Sequence, residues 1–128
     1  MAKWLTQEWL DESKRLAADQ PVRPGASARL QYVITDGPDG DVEYYWVVVD
    51  GQLAENRLGH LDDAEVTLTQ SYDDAMAIQK GELDINAAFL QGRVRPSGDL
   101  DTLTSLLPIT MSAEFQAWNG AVTAMTEY

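Results

Sequence analysis

His60 is the only histidine in the chain, and it stands in the loop Gly59-His60-Leu61-Asp62-Asp63. An imidazole serves as a general base only when a partner orients it and a cleft holds substrate against it. The residues around His60 offer acids but no cleft, so the plain reading is a solvated side chain. The acidic turn Asp36-Gly37-Pro38-Asp39-Gly40-Asp41 invites a calcium reading. The EF-hand spacing of acids is absent, however, and Val47 stands where the bidentate Glu belongs. Gly, Pro and Asp are also what hairpin turns use. There is no glycine-rich phosphate loop, nucleophile elbow or metal-ligand spacing. The absence of cysteine removes disulfides, thiolate chemistry and zinc-thiolate sites together. We therefore expect no catalytic residue, metal or cofactor. The rival is a hydrolase or cyclase in which His60, or two acids that meet in space, act as bases.

What remains is apolar. Met76, Phe89, Leu90, Leu103, Leu107, Met111, Phe115, Trp118, Val122 and Met125 recur at helical spacings in the second half of the chain. Trp46 adds a ring from the run Val42 to Val49. Such a surface acts by desolvation, holding an apolar molecule without reacting with it. On spacing alone, the same stripes are what any helix buries in a core. The methionines favour a pocket slightly, because flexible thioethers adapt to varied apolar partners.

A net charge of −12 argues against nucleic acid, since phosphates are repelled and the nine basic residues form no stripe. It also disfavours anionic membranes, so membrane contact is at most transient. The acidity serves solubility. At 128 residues the length fits one domain, residues 1–128. A chain of this size buries roughly two thirds of its unfolded surface, enough for a core with room for a cavity. Met1 to Arg15 has acids among its apolar residues, unlike a signal peptide. No apolar run approaches the roughly twenty residues that span a bilayer.

These side chains must be held by regular elements. Thr6 is placed as an N-cap for a helix running to about Ala18, with Trp4 and Trp9 as core. Ala28 to Thr35 reads as a strand with Leu30, Tyr32 and Ile34 on one face. Val42 to Val49 is apolar on both faces, which suits a central strand. Asp50-Gly51 is a two-residue hairpin signal, and the polar Gln52 to Leu58 suits an edge. Glu65 to Gln70 is a fourth strand. Ser71 caps a helix from Tyr72 to Lys80. Then come Gly81, the cap Asp84, a short helix with Ile85, Ala88 and Phe89 on one face, and Gly92. A fifth strand spans Arg93 to Ser97, and Asp99 caps a helix that Pro108 stops. Thr110 or Ser112 caps a last helix, about Met111 to Thr126. The order α-β-β-β-β-α-α-β-α-α predicts an α+β domain, with one mostly antiparallel five-stranded sheet covered by helices.

The run Lys80 to Leu107, KGELDINAAFLQGRVRPSGDLDTLTSLL, resembles the signature of the sterol carrier protein type two family. There a "GxLdpxxAFxxGklkvxGD" run precedes a helix rich in Leu and Met. The resemblance is specific from Thr67 to Leu107. From Ala28 to Asp63 it rests on element order and the aromatic second strand. It implies a curved sheet of five strands under helices, with a hydrophobic tunnel between the layers. It also implies carriage, without catalysis, of a sterol, fatty acyl chain, acyl-CoA or polycyclic product. Pro96 departs from the usual Val or Ile, and its missing amide predicts an edge strand. The end Thr-Glu-Tyr lacks the peroxisomal tail of eukaryotic members, so a free-standing cytoplasmic version is expected.

Gln91 lies in Phe-Leu-Gln-Gly, matching the family's "FFQGK" element, where the side chain can face the tunnel. An amide both donates and accepts, so it can hold a lipid head group. The alternative is an exposed Gln at a helix end. The last helix, with its adaptable stripe and with Gly120 on the other side, is expected to be the lid of the pocket. A filled-core interaction module is the third reading, and it predicts no continuous cavity.

Overall fold

Two tight turns set the first half of the sheet. A computed structural model describes all 128 residues. Asp50 and Gly51 take φ of 50° and 81°, which a type I′ hairpin requires at both central positions. They join β3 (Gly40–Val49) to β4 (Gln52–Leu58). The Asp36–Asp41 segment is likewise a turn, joining β2 (Ala28–Gly37) to β3, and the Asp41 carboxylate accepts from the Asp36 amide at 3.2 Å. β5 (Val66–Ser71) then lies parallel to β2, and β6 (Val94–Gly98) lies antiparallel to β5. The strand order is β4-β3-β2-β5-β6. The sheet is mixed, with β2–β5 as its one parallel pairing. As expected, β4 and β6 are the edges, and Pro96 sits where one side of the strand has no ladder to serve.

The register fixes which side chains share a face. Leu30, Tyr32 and Ile34 of β2 stand beside Trp46, Tyr44 and Val42 of β3. On the other side they stand beside Val66, Leu68 and Gln70 of β5. Helices cover this face, and five of them begin where the sequence supplies a side-chain acceptor for the free amides. Thr6 caps α1 (Gln7–Leu16), accepting from the Trp9 amide. Ser71 caps α2 (Tyr72–Gln79), and Asp84 caps α3 (Ile85–Leu90). Asp99 caps α4 (Leu100–Ser105), and Ser112 caps α6 (Ala113–Met125). On the opposite face the fully buried Gln31 donates to the Tyr44 and Gly59 carbonyls, each at 3.0 Å, and accepts from the Leu61 amide. That side chain ties the His60 loop to the sheet.

Three features differ from the sequence reading. Pro108 does not simply stop α4; it lies in the first turn of a separate short helix, α5 (Leu107–Thr110), a position where its missing N–H is no loss. Of the two caps the sequence offers for the last helix, Ser112 rather than Thr110 is used, so the helix starts at Ala113. The chain ends also meet, because β1 (Ala2–Lys3) pairs in parallel with β7 (Thr126–Glu127). Two-residue strands carry no period, so nothing in the sequence marks them.

Candidate ligand-binding site

Rings occupy the space between sheet and helices. Tyr32 and Tyr44 stack at 4.7 Å between centroids, nearly parallel. Tyr32 meets Trp46 at 5.1 Å, and Trp46 meets Trp118 of α6 edge-on at 5.6 Å. Phe115 packs on Trp118 at 5.3 Å. These are favourable tilted, stacked and edge-to-face separations. Trp118 is further fixed by its indole N–H, which donates to the Ser13 carbonyl at 2.9 Å. Burial pushes the phenol pKa of Tyr44 up, and burial together with the neighbouring Tyr44 pushes that of Tyr32 up.

Around Tyr32, Trp46 and Trp118 the interlayer space implied by the resemblance is filled by packed aromatic side chains. Two cavities lie outside this layer. One, of about 480 Å³, is a polar groove between α1 and β4, lined by Gln7, Asp11, Lys14 and residues 54–58. The other, of about 250 Å³, lies at Met1, Ala2, Glu8, Glu12 and Met125. The physical reason is the hydrophobic effect: large flat side chains lower the free energy by closing on one another.

The core has two parts. One gathers Trp9, Leu10, Ile34, Tyr44, Ala75, Trp118 and Val122 under α1, α2 and α6. The other gathers Leu30, Val66, Leu68, Ala88, Val94 and Leu106 under α3 to α5. Tyr32 and Trp46 pack against both. The α4–α5 segment is lightly held. Neither helix buries a residue, and Leu106 between them is the buried anchor.

The expected site residues divide accordingly. Trp118 and Val122 are buried, while Trp46, Met76, Phe115 and Met125 are half-buried in the first cluster. Phe89 and Leu103 are half-buried in the second, and Trp46 reaches it too. Four lie outside the layer. Leu90 is 90% exposed, Met111 77%, and Leu107 is exposed. Gln91 is exposed at the C-cap of α3. The amide therefore does not face an interlayer space, which corrects the tunnel-facing expectation. The cause is helical geometry. Ala88 and Phe89 face inward on a six-residue helix, and each further residue turns about 100° away. Met111 leaves the α6 stripe because the chain breaks between α5 and α6. At the α4–α5 junction it is Leu106, not Leu107, that turns inward.

The lid expectation also changes. The C-terminal helix is pinned at several points: Trp118 to Ser13, Trp9 Nε1 to Thr126 Oγ1 at 2.8 Å, Thr123 to the Gln79 carbonyl at 3.0 Å, and the β1–β7 pairing. Sequence reasoning passed over Tyr44, Gln70 and Leu106 as candidates. Gln70 was legible, since alternation from Val66 and Leu68 places it on the same face.

His60 is exposed and sits 3.5 Å from Glu43 and 3.7 Å from Asp62. Glu43 opposes Val33, so this group lies on the side of the sheet away from the aromatic layer. No group of three or more His, Asp or Glu side chains is placed to hold a metal ion. No helix is long and apolar enough to cross a membrane.

The SCP-2 sterol transfer family matches residues 7–111. The chain belongs to that family. Among solved structures, a sterol carrier protein 2 crystal structure superposes with a TM-score of 0.70 at 14% identity, covering 97% of this chain and 99% of its own. Palmitated SCP2L2 from Aedes aegypti gives 0.63 at 23% identity, covering 82% and 94%. Part of the sec-alkyl sulfatase PisA1, in a double-mutant form, gives 0.53 at 26% identity over 66% of this chain, but only 13% of that one. No curated protein is similar enough in sequence to count as a match. The SCP-2 fold thus extends through α6, beyond the residues that the family itself matches.

Proposed function

We propose that the protein binds and carries an apolar molecule, such as a sterol or fatty acyl chain, between sheet and helices, without catalysis. The observation that carries this is the divided core: two clusters joined through Tyr32 and Trp46, one under a lightly anchored α4–α5 segment. Parting the clusters opens an apolar slot without breaking the sheet. The α4–α5 segment is the door. It lies between Gly98 and Ser112, buries one side chain, and shows Leu100, Leu107 and Met111 to solvent. Segments with few buried contacts open at low free energy. Family membership supports the same reading, as does a fold shared with a protein described as palmitated.

A ligand tail that buries about 300 Å² gains roughly 7 kcal/mol. Association and parting of the rings offset several kcal/mol, so loose selectivity and affinity near micromolar are expected. The test is titration with a fluorescent fatty acyl or sterol probe, followed by competition with unlabelled lipid. Saturable binding that lipid displaces is the expected result. A folded protein that takes up no probe of either class is a filled-core module, and the carrier reading falls. The enzyme alternative gains no titratable cleft residue from His60, which lies on the far side of the sheet.

A further inference from the structure

Three buried polar atoms on the helix-facing side of the sheet have no hydrogen-bond partner: Trp46 Nε1, Asn56 Oδ1 and Gln70 Oε1. Native proteins keep few such atoms, because a buried polar group without a partner is costly. Their placement follows the division of the core. Trp46 and Asn56 oppose each other across β3 and β4, and Trp46 also opposes Leu30. Gln70 opposes Ile34. Four residues along β2 and two strand spacings across it separate Trp46 from Gln70, about 16 Å on a flat sheet. Tyr32 stands midway. The line Trp46–Tyr32–Gln70 is also the boundary between the clusters. Leu30, Val66 and Leu68 lie on one side, with Ile34 and Tyr44 on the other. Gln70 is only 9% exposed, and its carboxamide oxygen has no partner at the end of that line.

We propose that this seam is the ligand axis, and that it takes a rod-shaped apolar molecule with a neutral hydrogen-bonding group at each end. The proposal rests on the carrier reading and narrows its ligand class. At one end the Gln70 oxygen accepts from a hydroxyl. At the other the Trp46 N–H donates to a second hydroxyl, whose own proton the Asn56 oxygen accepts; one O–H group does both.

The probes are dodecane-α,ω-diol, dodecanol and dodecane, whose extended length suits the seam. Affinities for the parent, Gln70→Leu and Trp46→Phe are measured by displacement of a bound fluorescent acyl probe. The parent is expected to prefer diol to alcohol to alkane. Each substitution is expected to weaken the diol about tenfold more than it weakens the alkane, the scale of one lost buried hydrogen bond. Gln70→Leu should also raise the urea midpoint of the free protein, since it removes an unpaired buried atom. Gln70→Met repeats the test if the Leu variant does not fold. A parent that binds all three probes alike, or variants that lose diol and alkane equally, would overturn the proposal and leave the carrier reading standing. In that case the polar atoms are served by buried water. If no apolar probe of any class binds, both readings fall.

Discussion

Replacing Trp118 by Ala should weaken the fold and tighten the ligand. Trp118 is 8% exposed, touches Trp46 and Phe115, and donates to the Ser13 carbonyl. Truncating a buried Trp costs about 3–5 kcal/mol, and part of that is the Ser13 carbonyl left without its partner. Domains of this kind have about 5–15 kcal/mol in hand, so a folded variant is expected, with a urea midpoint lower by roughly 2 M. The space vacated lies where the carrier reading puts the ligand. The parent must part its rings to admit a chain, and the variant need not. A ligand that regains about 1.4 kcal/mol of the lost packing binds about tenfold tighter. The assay is displacement of a fluorescent acyl probe by dodecanol in both proteins, with urea unfolding run in parallel. Because the ligand fills the gap, it should also raise the variant's urea midpoint more than the parent's. A variant that unfolds cooperatively yet binds dodecanol no better than the parent refutes the idea that the ring stack stands in for ligand.

Two further predictions concern the same layer. Gly120 is exposed and an added Cβ would meet open space, so Gly120→Ala should stabilise α6 by up to about 1 kcal/mol. It should leave stopped-flow transfer of an acyl probe to acceptor vesicles unchanged, because α6 is pinned; slower release would return the lid role to α6. The raised phenol pKa values of Tyr32 and Tyr44 give an alkaline signature. Their stabilising contribution is fully present below the unfolded value near 10 and is lost as pH rises from there towards the folded pKa. The slope is about 1.4 kcal/mol per pH unit for each phenol. Tyr44→Phe should remove one of the two contributions in urea unfolding followed from about pH 9.5 to about 11.5; an unchanged slope would mean the ring ionises freely in the folded protein.

Much of the fold was written locally. Thr6, Ser71, Asp84 and Asp99 start helices in the structure as they do in the sequence, because a cap is a contact between residues two or three apart. Asp50-Gly51 makes its hairpin for the same reason: two positive φ angles are a property of two residues. Pro96 announced an edge through a missing amide. The inner faces of the strands were legible from alternation, Gln70 included, though a polar residue on that face drew no attention as a candidate. What the sequence left open depended on distance in the chain. Nothing near Trp118 shows that its indole reaches Ser13, or that Thr126 holds Trp9, so the last helix read as a free lid when tertiary contacts make it a fixed wall. Leu90, Gln91 and Met111 fit apolar or family patterns, but they fall where short helices end, and the rotation of a six-residue helix is set by what it packs on. Whether a layer of large apolar residues encloses space or fills it is decided last of all. That depends on how rings from β2, β3 and α6 meet, and no local pattern carries that information.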